Sequence, residues 1–343
     1  MVRPSAVGSP PIPRKLWILS MDGNVAATPG VPGAAEADGP PEVCSISAML
    51  AWAGSVGPAG ALRSSYDPRM PDPIPDVPEV LLVDDPRPGV RRLTLNRPDR
   101  RNAMDNALRG ALFDALREAD RDDAVHLSVI RGAGTCFSSG YDLGSNLSAD
   151  RPSYTAGGAG SWARQVTDGW LSLWDLAKPV IAQVHGYAMA GGSELAAACD
   201  LVYLADDATI SHPVLRVAGT PDFAVHPWLV GLRNAMEMVL TGDAVDAAEA
   251  VRVGYANRMF PADELDERVL DIAERIAGVP HELLALNKRW VYRAMDAMGA
   301  RTAIRAAPDL GGLARHVPAI RENLEGLSSR VRDAAAETRQ QDD

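Results

Sequence analysis

The chain has 343 residues, 46% of them hydrophobic and 23% charged, with 45 acidic side chains against 34 basic ones. That balance belongs to a folded globular chain and excludes a disordered, collagenous or membrane-spanning polypeptide as a whole. The net charge of -11 and the lack of any Lys/Arg-rich run exclude a nucleic-acid backbone as the natural partner. The only lysines are Lys15, Lys178 and Lys288, so phosphate recognition must rest mainly on arginine or on backbone N–H groups. Cys44, Cys136 and Cys199 form no CxxC pair, which argues against a disulfide framework or a metal site and predicts a reducing, cytoplasmic setting. No membrane span or secretion signal is expected: Ile46–Leu62 is shorter than the roughly 20 residues a span needs, and the Leu16–Leu19 core is too short for a signal.

Residues 1–78 hold 14 of the 26 prolines and 8 of the 30 glycines without sustained apolar periodicity, which predicts a disordered extension. Order is expected from Val80. There Val80–Val83 and Val90–Leu95 read as a strand pair around Pro88-Gly89. Leu108, Ala111, Leu112, Ala115, Leu116 and Ala119 then recur at helical spacing, with Asn102 as the expected N-cap. Strands at Val125–Ile130, Val180–Val184 and Leu201–Leu204 alternate with helices at Trp162–Leu176 and Glu194–Ala198, an α/β pattern. Beyond residue 225 the pattern is helical, over 226–240, 244–253, 262–276 and 281–298, with a charged stretch after Pro308. The predicted organisation is an extension over 1–78, a core over 79–260 and a C-terminal helical region over 261–343.

Two glycine-containing turns fall at strand-to-helix junctions, Phe137-Ser138-Ser139-Gly140-Tyr141-Asp142-Leu143 and His185-Gly186-Tyr187-Ala188-Met189-Ala190-Gly191-Gly192-Ser193-Glu194-Leu195. Each glycine could merely permit a tight turn. Backbone amides aimed from two such turns at one point would instead make an oxyanion hole, in which one donor typically contributes about 2.7 to 4 kcal/mol to the transition state.

These loops, together with Leu95-Asn96-Arg97-Pro98, Asn102-Ala103-Met104 and Cys199-Asp200, resemble the enoyl-CoA hydratase/isomerase (crotonase) family over about Val80 to Pro261. The resemblance implies a fold of repeated ββα units, a C-terminal helical region that forms trimers or pairs of trimers, and an acyl-CoA thioester substrate. CoA then arrives as part of the substrate, and no separate cofactor or metal is expected. By motif position the amides of Tyr141 and Gly191 hold the thioester oxygen as it becomes an enolate, and Ser139 stands where the family's backbone meets the adenine. Glu194 matches the first of two family carboxylates that handle the attacking water of a hydratase. As a plain structural feature it would be an acid favoured at a helix start.

Two departures bear on the reaction. The second hydratase carboxylate falls on Val214, which cannot deliver a proton, while Asp222, eight residues on, matches an acid/base or nucleophilic aspartate of isomerase and dehalogenase relatives. Asp222 equally suits a turn or a cap before the following helix. His212 and His226 flank the same segment, as chemical groups or as packed histidines. The lysines the family often sets beside the first loop are Thr135 and Gly144 here, so Arg100 and Arg101, with Lys288 from the C-terminal helices, are the candidates for the CoA phosphates; all three could instead be solvated charges. The expected activity is hydration or isomerisation of an enoyl-CoA. The alternatives are isomerase or hydrolase chemistry through Glu194 with Asp222, or a catalytically silent CoA-binding subunit. Gly157-Gly158-Ala159-Gly160 suggests a mobile wall to the acyl pocket.

Overall fold

The computed structural model describes residues 79–145, 161–216, 219–314, 316–323 and 325–326. The expected extension over 1–78, the Gly157–Gly160 segment and much of the final charged stretch lie outside the described residues.

A twisted sheet runs through the molecule in the order β1 (Leu81–Arg87), β2 (Val90–Leu95), β3 (Leu127–Gly132), β4 (Val180–Val184), β6 (Leu201–Ala205) and β9 (Arg258–Phe260). Only β1 and β2 pair antiparallel; every other neighbour in this sheet is parallel. Parallel strands are covered on both faces, and β4, buried at all five positions, shows it. A smaller sheet joins β5 (Tyr187–Met189), β7 (Thr209–Ser211) and β8 (Val245–Asp246). The chain alternates between the two: β4 and β6 enter the large sheet, and β5 and β7, a few residues later, enter the small one before a helix follows. This is the expected ββα repeat, and it aligns the chain reversals after β4 and β6 along one edge of the core.

Helix α1 (Asn106–Arg121) lays Leu108, Leu112, Leu116 and Ala119 on the core. Its cap is Asp105, whose side chain accepts from the Leu108 N–H at 2.8 Å, and not the expected Asn102. Asn102 has a left-handed backbone (φ 53°) and is fully buried; its amide donates to the carbonyls of Ala133 and Cys136 and accepts from the Arg97 N–H. It locks two turns together before the helix begins.

Helix α2 (Ser161–Asp175) contributes the buried Trp170, Leu171 and Leu173. Helix α3 (Gly191–Ala198) is buried along its whole length and begins three residues before the expected start. The helix expected over 226–240 is broken: α4 (His226–Leu229) ends at Val230, Gly231 takes φ 74°, and α5 (Gly231–Thr241) follows. The helix expected over 244–253 is α6 (Ala247–Val253), shortened because Val245–Asp246 pair with β7 and Asp246 then caps the Glu249 N–H. Helices α7 (Leu265–Ala277), α8 (His281–Ala297) and α9 (Ala300–Ala314) follow. Among the described residues no helix is long and apolar enough to cross a membrane.

Candidate active site

The two glycine-containing turns abut. The Phe137 N–H donates to the His185 carbonyl (3.0 Å), Ser138 exchanges bonds with Tyr187 and Met189 (3.3 and 2.9 Å), and the first loop is thereby stitched along β5. Gly140 (φ 99°) allows the approach: a Cβ there would stand 2.8 Å from the Met189 carbonyl oxygen and 3.0 Å from the Gly191 nitrogen. The bridge that follows uses the Met104 N–H to Gly140 O (2.7 Å) and the Asp142 N–H to Met104 O (3.0 Å), so it passes over the amide of Tyr141. Gly191 is the first residue of α3, where helix geometry supplies no intrahelical acceptor for an N–H. Both amides singled out in the sequence therefore lie where neighbouring loops meet and outside the regular hydrogen-bond ladders. The aromatic ring of Tyr141 lies on Gly191, 2.6 Å from where a Cβ would be.

One turn into α3, Glu194 is 2% exposed. Its Oε2 accepts from the Tyr141 hydroxyl at 2.6 Å and its Oε1 from the Phe223 N–H at 3.1 Å. The Tyr141 hydroxyl in turn accepts from Trp170 Nε1 at 3.0 Å. Burial pushes the Glu194 carboxyl above its ordinary pKa, and the donors Tyr141, Phe223, the Asp222 backbone and Trp170 hold the rise in check. Burial and the facing Glu194 and Asp222 carboxylates push the Tyr141 hydroxyl far upward, so it stays protonated as a donor. A carboxyl raised in this way holds a proton more readily than an exposed one, which suits a group that takes up and returns a proton.

Asp222 comes to the same place. It is half-buried, its carbonyl accepts from Thr167 Oγ1 (2.5 Å), and its backbone supports Glu194. His212 Nε2 is 3.8 Å from Glu194 Oε1, and the rings of His212 and His226 meet edge to face at 6.5 Å. Burial pushes both imidazoles down, each to about 4, with His212 adding to the fall at His226. At neutral pH the contact between His212 and Glu194 is therefore not an ion pair.

The two histidines predict an acid limb in stability. A folded-state pKa below the ordinary 6.5 leaves no penalty above pH 6.5, where both states are neutral; stability is lost as pH falls from 6.5 towards 4. The loss is about 1.4 kcal/mol per pH unit for one histidine. His226→Phe should have a shallower limb than the parent when unfolding by urea is followed from pH 7 to 4.5. Equal slopes would mean that His226 titrates normally.

The expected CoA-phosphate residues divide. Arg100 and Arg101 are exposed on the turn after Pro98, and the Arg101 carbonyl accepts from the Ser139 N–H at 2.9 Å, so the three lie together beside the first loop. Lys288 does not join them, and neither is it the exposed helix residue of the plainer reading. Its side chain is 5% exposed, and Nζ donates to Asp200 Oδ2 (2.8 Å) and to the carbonyls of Leu173 (2.8 Å) and Lys178 (3.1 Å). All three ammonium hydrogens are thereby engaged, and the lysine clamps α8 to the core instead of reaching a phosphate.

Sequence patterning missed Trp170, which completes the hydrogen-bond chain to Glu194, and Arg109, which is 5% exposed beside the same aromatic cluster. The available signal for Arg109 was its place on α1, three residues before Leu112 and seven before Leu116 on the face that meets the core. Among the described residues, no cluster of three or more His, Cys, Asp or Glu side chains could hold a metal ion.

Loops that bring main-chain donors and one shielded carboxylate to the edge of a two-sheet ββα core make this a crotonase-type protein. The family profile described as Enoyl-CoA hydratase/isomerase matches residues 86–322. EchA13 of Mycobacterium tuberculosis, which bears an enoyl-CoA hydratase name, is 37% identical over 245 residues, covering 65% of this chain and 75% of its own. An enoyl-CoA hydratase/isomerase structure from Xanthobacter autotrophicus superposes with TM-score 0.66 at 33% identity, over 76% of this chain and 97% of that one. A monofunctional enoyl-CoA isomerase from Mycobacterium smegmatis superposes with TM-score 0.53 at 33% identity, over 63% of this chain and 94% of that one. The chain belongs to the enoyl-CoA hydratase/isomerase family, whose members are enzymes acting on acyl-CoA thioesters.

Proposed function

We propose that this protein isomerises an enoyl-CoA through a single carboxylate. The thioester oxygen rests on the amides of Tyr141 and Gly191. Glu194 removes a proton from the carbon next to the carbonyl, and the charge passes onto the oxygen as a dienolate. The same carboxyl, now protonated, returns the proton two carbons along, so the double bond moves into conjugation and no atom is gained or lost. The observation that carries this reading is the environment of Glu194, a buried carboxyl with a raised pKa and four donors fixing its position, set against valine at position 214 where a hydratase has its second carboxylate. Arg100, Arg101 and the Ser139 backbone are the proposed contacts for the CoA nucleotide.

The adjacency of Asp222 to Glu194 supports a second reading in which Asp222 is the other acid/base group, with isomerase or hydrolase chemistry shared between the two. The test is product analysis with 3-hexenoyl-CoA and crotonyl-CoA. Single-carboxylate isomerisation predicts that the first becomes the 2-enoyl thioester, that the second gains no water, and that Asp222→Asn keeps turnover within about tenfold, below the 100-fold or more that marks a lost acid/base group. Abolished turnover in Asp222→Asn would establish the second reading; 3-hydroxybutyryl-CoA formed from crotonyl-CoA would make the protein a hydratase.

We further infer that the protein works as a trimer or pair of trimers. Support comes from α8, which exposes Leu283, Leu286, Trp290 and Val291 at helical spacing, and from Leu310 and Leu313 of α9.

A further inference from the structure

Arg109 has no place in the chemistry above, yet it is a buried charge beside the site. It lies on the buried side of α1 with 5% of its surface exposed. Its guanidinium carbon is 4.8 Å from the ring centre of Trp162 and 6.0 Å from those of Tyr141 and Trp170. Among the described residues, no hydrogen bond or ion pair engages the guanidinium, and Nε is shut off from solvent without an acceptor. The Asp222 and Glu194 carboxylates act on Arg109 through space without a hydrogen bond to its guanidinium, and that of Glu194 already accepts from Tyr141 and Phe223. A buried cation left in this state is costly, and aromatic faces return only part of the loss. Stacking on rings also leaves the in-plane N–H groups available, and these are the groups that grip a carboxylate with two parallel hydrogen bonds.

We propose that Arg109 is the recognition group for a second, free carboxylate on the acyl chain, so that the substrate is the CoA monothioester of a short dicarboxylic acid. The inference rests on the reading that the thioester oxygen sits at Tyr141 and Gly191. Tyr141 then serves both ends of the acyl group, its amide toward the thioester and its ring toward Arg109, which fits a short chain. A carboxylate arriving there accepts from the guanidinium in a water-poor site and gives Nε the acceptor that Asp222 and Glu194 do not supply. An uncharged alkyl end would do neither.

The test is titration calorimetry on the full chain with succinyl-, glutaryl- and adipoyl-CoA, each against the uncharged thioester of equal carbon number, butyryl-, pentanoyl- and hexanoyl-CoA. At one length at least, the carboxylate-bearing ligand should bind about tenfold or more tightly than its partner, the usual worth of a charge-assisted hydrogen bond. Arg109→Met should bring that ratio to about one, and Arg109→Lys should keep part of it. A ratio near one at every length in the parent protein, or a ratio retained in Arg109→Met, overturns the proposal, and the parent ratio decides even if a variant does not fold. The readout needs no turnover, so failure of isomerisation leaves it standing. If none of the six thioesters binds, the placement of acyl-CoA at this site falls as well.

Discussion

Glu194→Gln is expected to lower turnover at least about 100-fold, the lower end of what a positioned acid/base group supplies, with acyl-CoA affinity retained. The amide keeps the volume and can still accept at one oxygen from the Phe223 N–H, while the Tyr141 hydroxyl turns to accept from the new NH2 group. What disappears is the capacity to carry a proton. Its effect on stability depends on pH. The folded-state pKa of Glu194 is raised above its ordinary 4.5, so the folded protein favours the neutral carboxyl; the contribution of this one group to stability is greatest in acid and is lost as pH rises past 4.5 through the folded-state value, opposite in sign to that of the two histidines. The glutamine variant lacks that pH-dependent loss, although its Tyr141 hydroxyl gives up its acceptor, so its melting temperature should fall less than the parent's between pH 5 and pH 8. Turnover within tenfold of the parent, measured on a substrate that the parent converts, would demote Glu194 to a structural acid.

The second large effect is expected at Gly140. Alanine there must hold φ near 99°, a conformation that strains an L side chain by about 1 to 3 kcal/mol. Its Cβ would also press on the Met189 carbonyl at 2.8 Å and on the Gly191 nitrogen at 3.0 Å, both backbone atoms that cannot swing aside. The relief available is separation of the two loops, which would move the Tyr141 and Gly191 amides apart. Loss of one such donor removes about 2.7 to 4 kcal/mol of transition-state stabilisation, or about 100-fold or more in turnover. Gly140→Ala should thus be both less stable to urea and at least about 100-fold slower even at saturating substrate. A slower enzyme at undiminished stability would point to the loop pair alone, whereas full activity in a destabilised variant would remove these amides from the mechanism.

The α/β alternation, the two glycine turns and the carboxylate three residues after Gly191 are local patterns, and each was legible because its cause lies within a few neighbours: period-two or period-3.6 apolar spacing, a positive φ, or a helix start. That Tyr141 and Gly191 come from separate turns of one site was legible only through the family resemblance. Helix ends were less legible. Asn102 has the chemistry of a cap, but carbonyls about 30 residues downstream claim its side chain and Asp105 takes its place. The helix expected over 226–240 hid a break because Gly231 is compatible with a helix until its neighbours require φ 74°.

Partnership across long separations was not legible at all. Lys288 reads as a surface charge until Asp200 and two distant carbonyls enclose it, and Trp170 reads as core until its indole N–H meets Tyr141. Arg109 reads as one polar position on an amphipathic helix; the tertiary fold leaves it shielded among three aromatic rings without an acceptor. The sequence by itself determined the five longer strands of the large sheet, the apolar face of the first long helix, and that a carboxylate falls in the first turn of the helix after the second glycine turn, since these follow from local sterics and spacing; the short strands β5, β7, β8 and β9 were not legible in it. Only the tertiary structure decided which polar groups are paired, shielded or left wanting a partner. Burial and hydrogen-bond satisfaction are properties of atoms brought together from far along the chain, and those properties set the protonation of Glu194 and the isolation of Arg109.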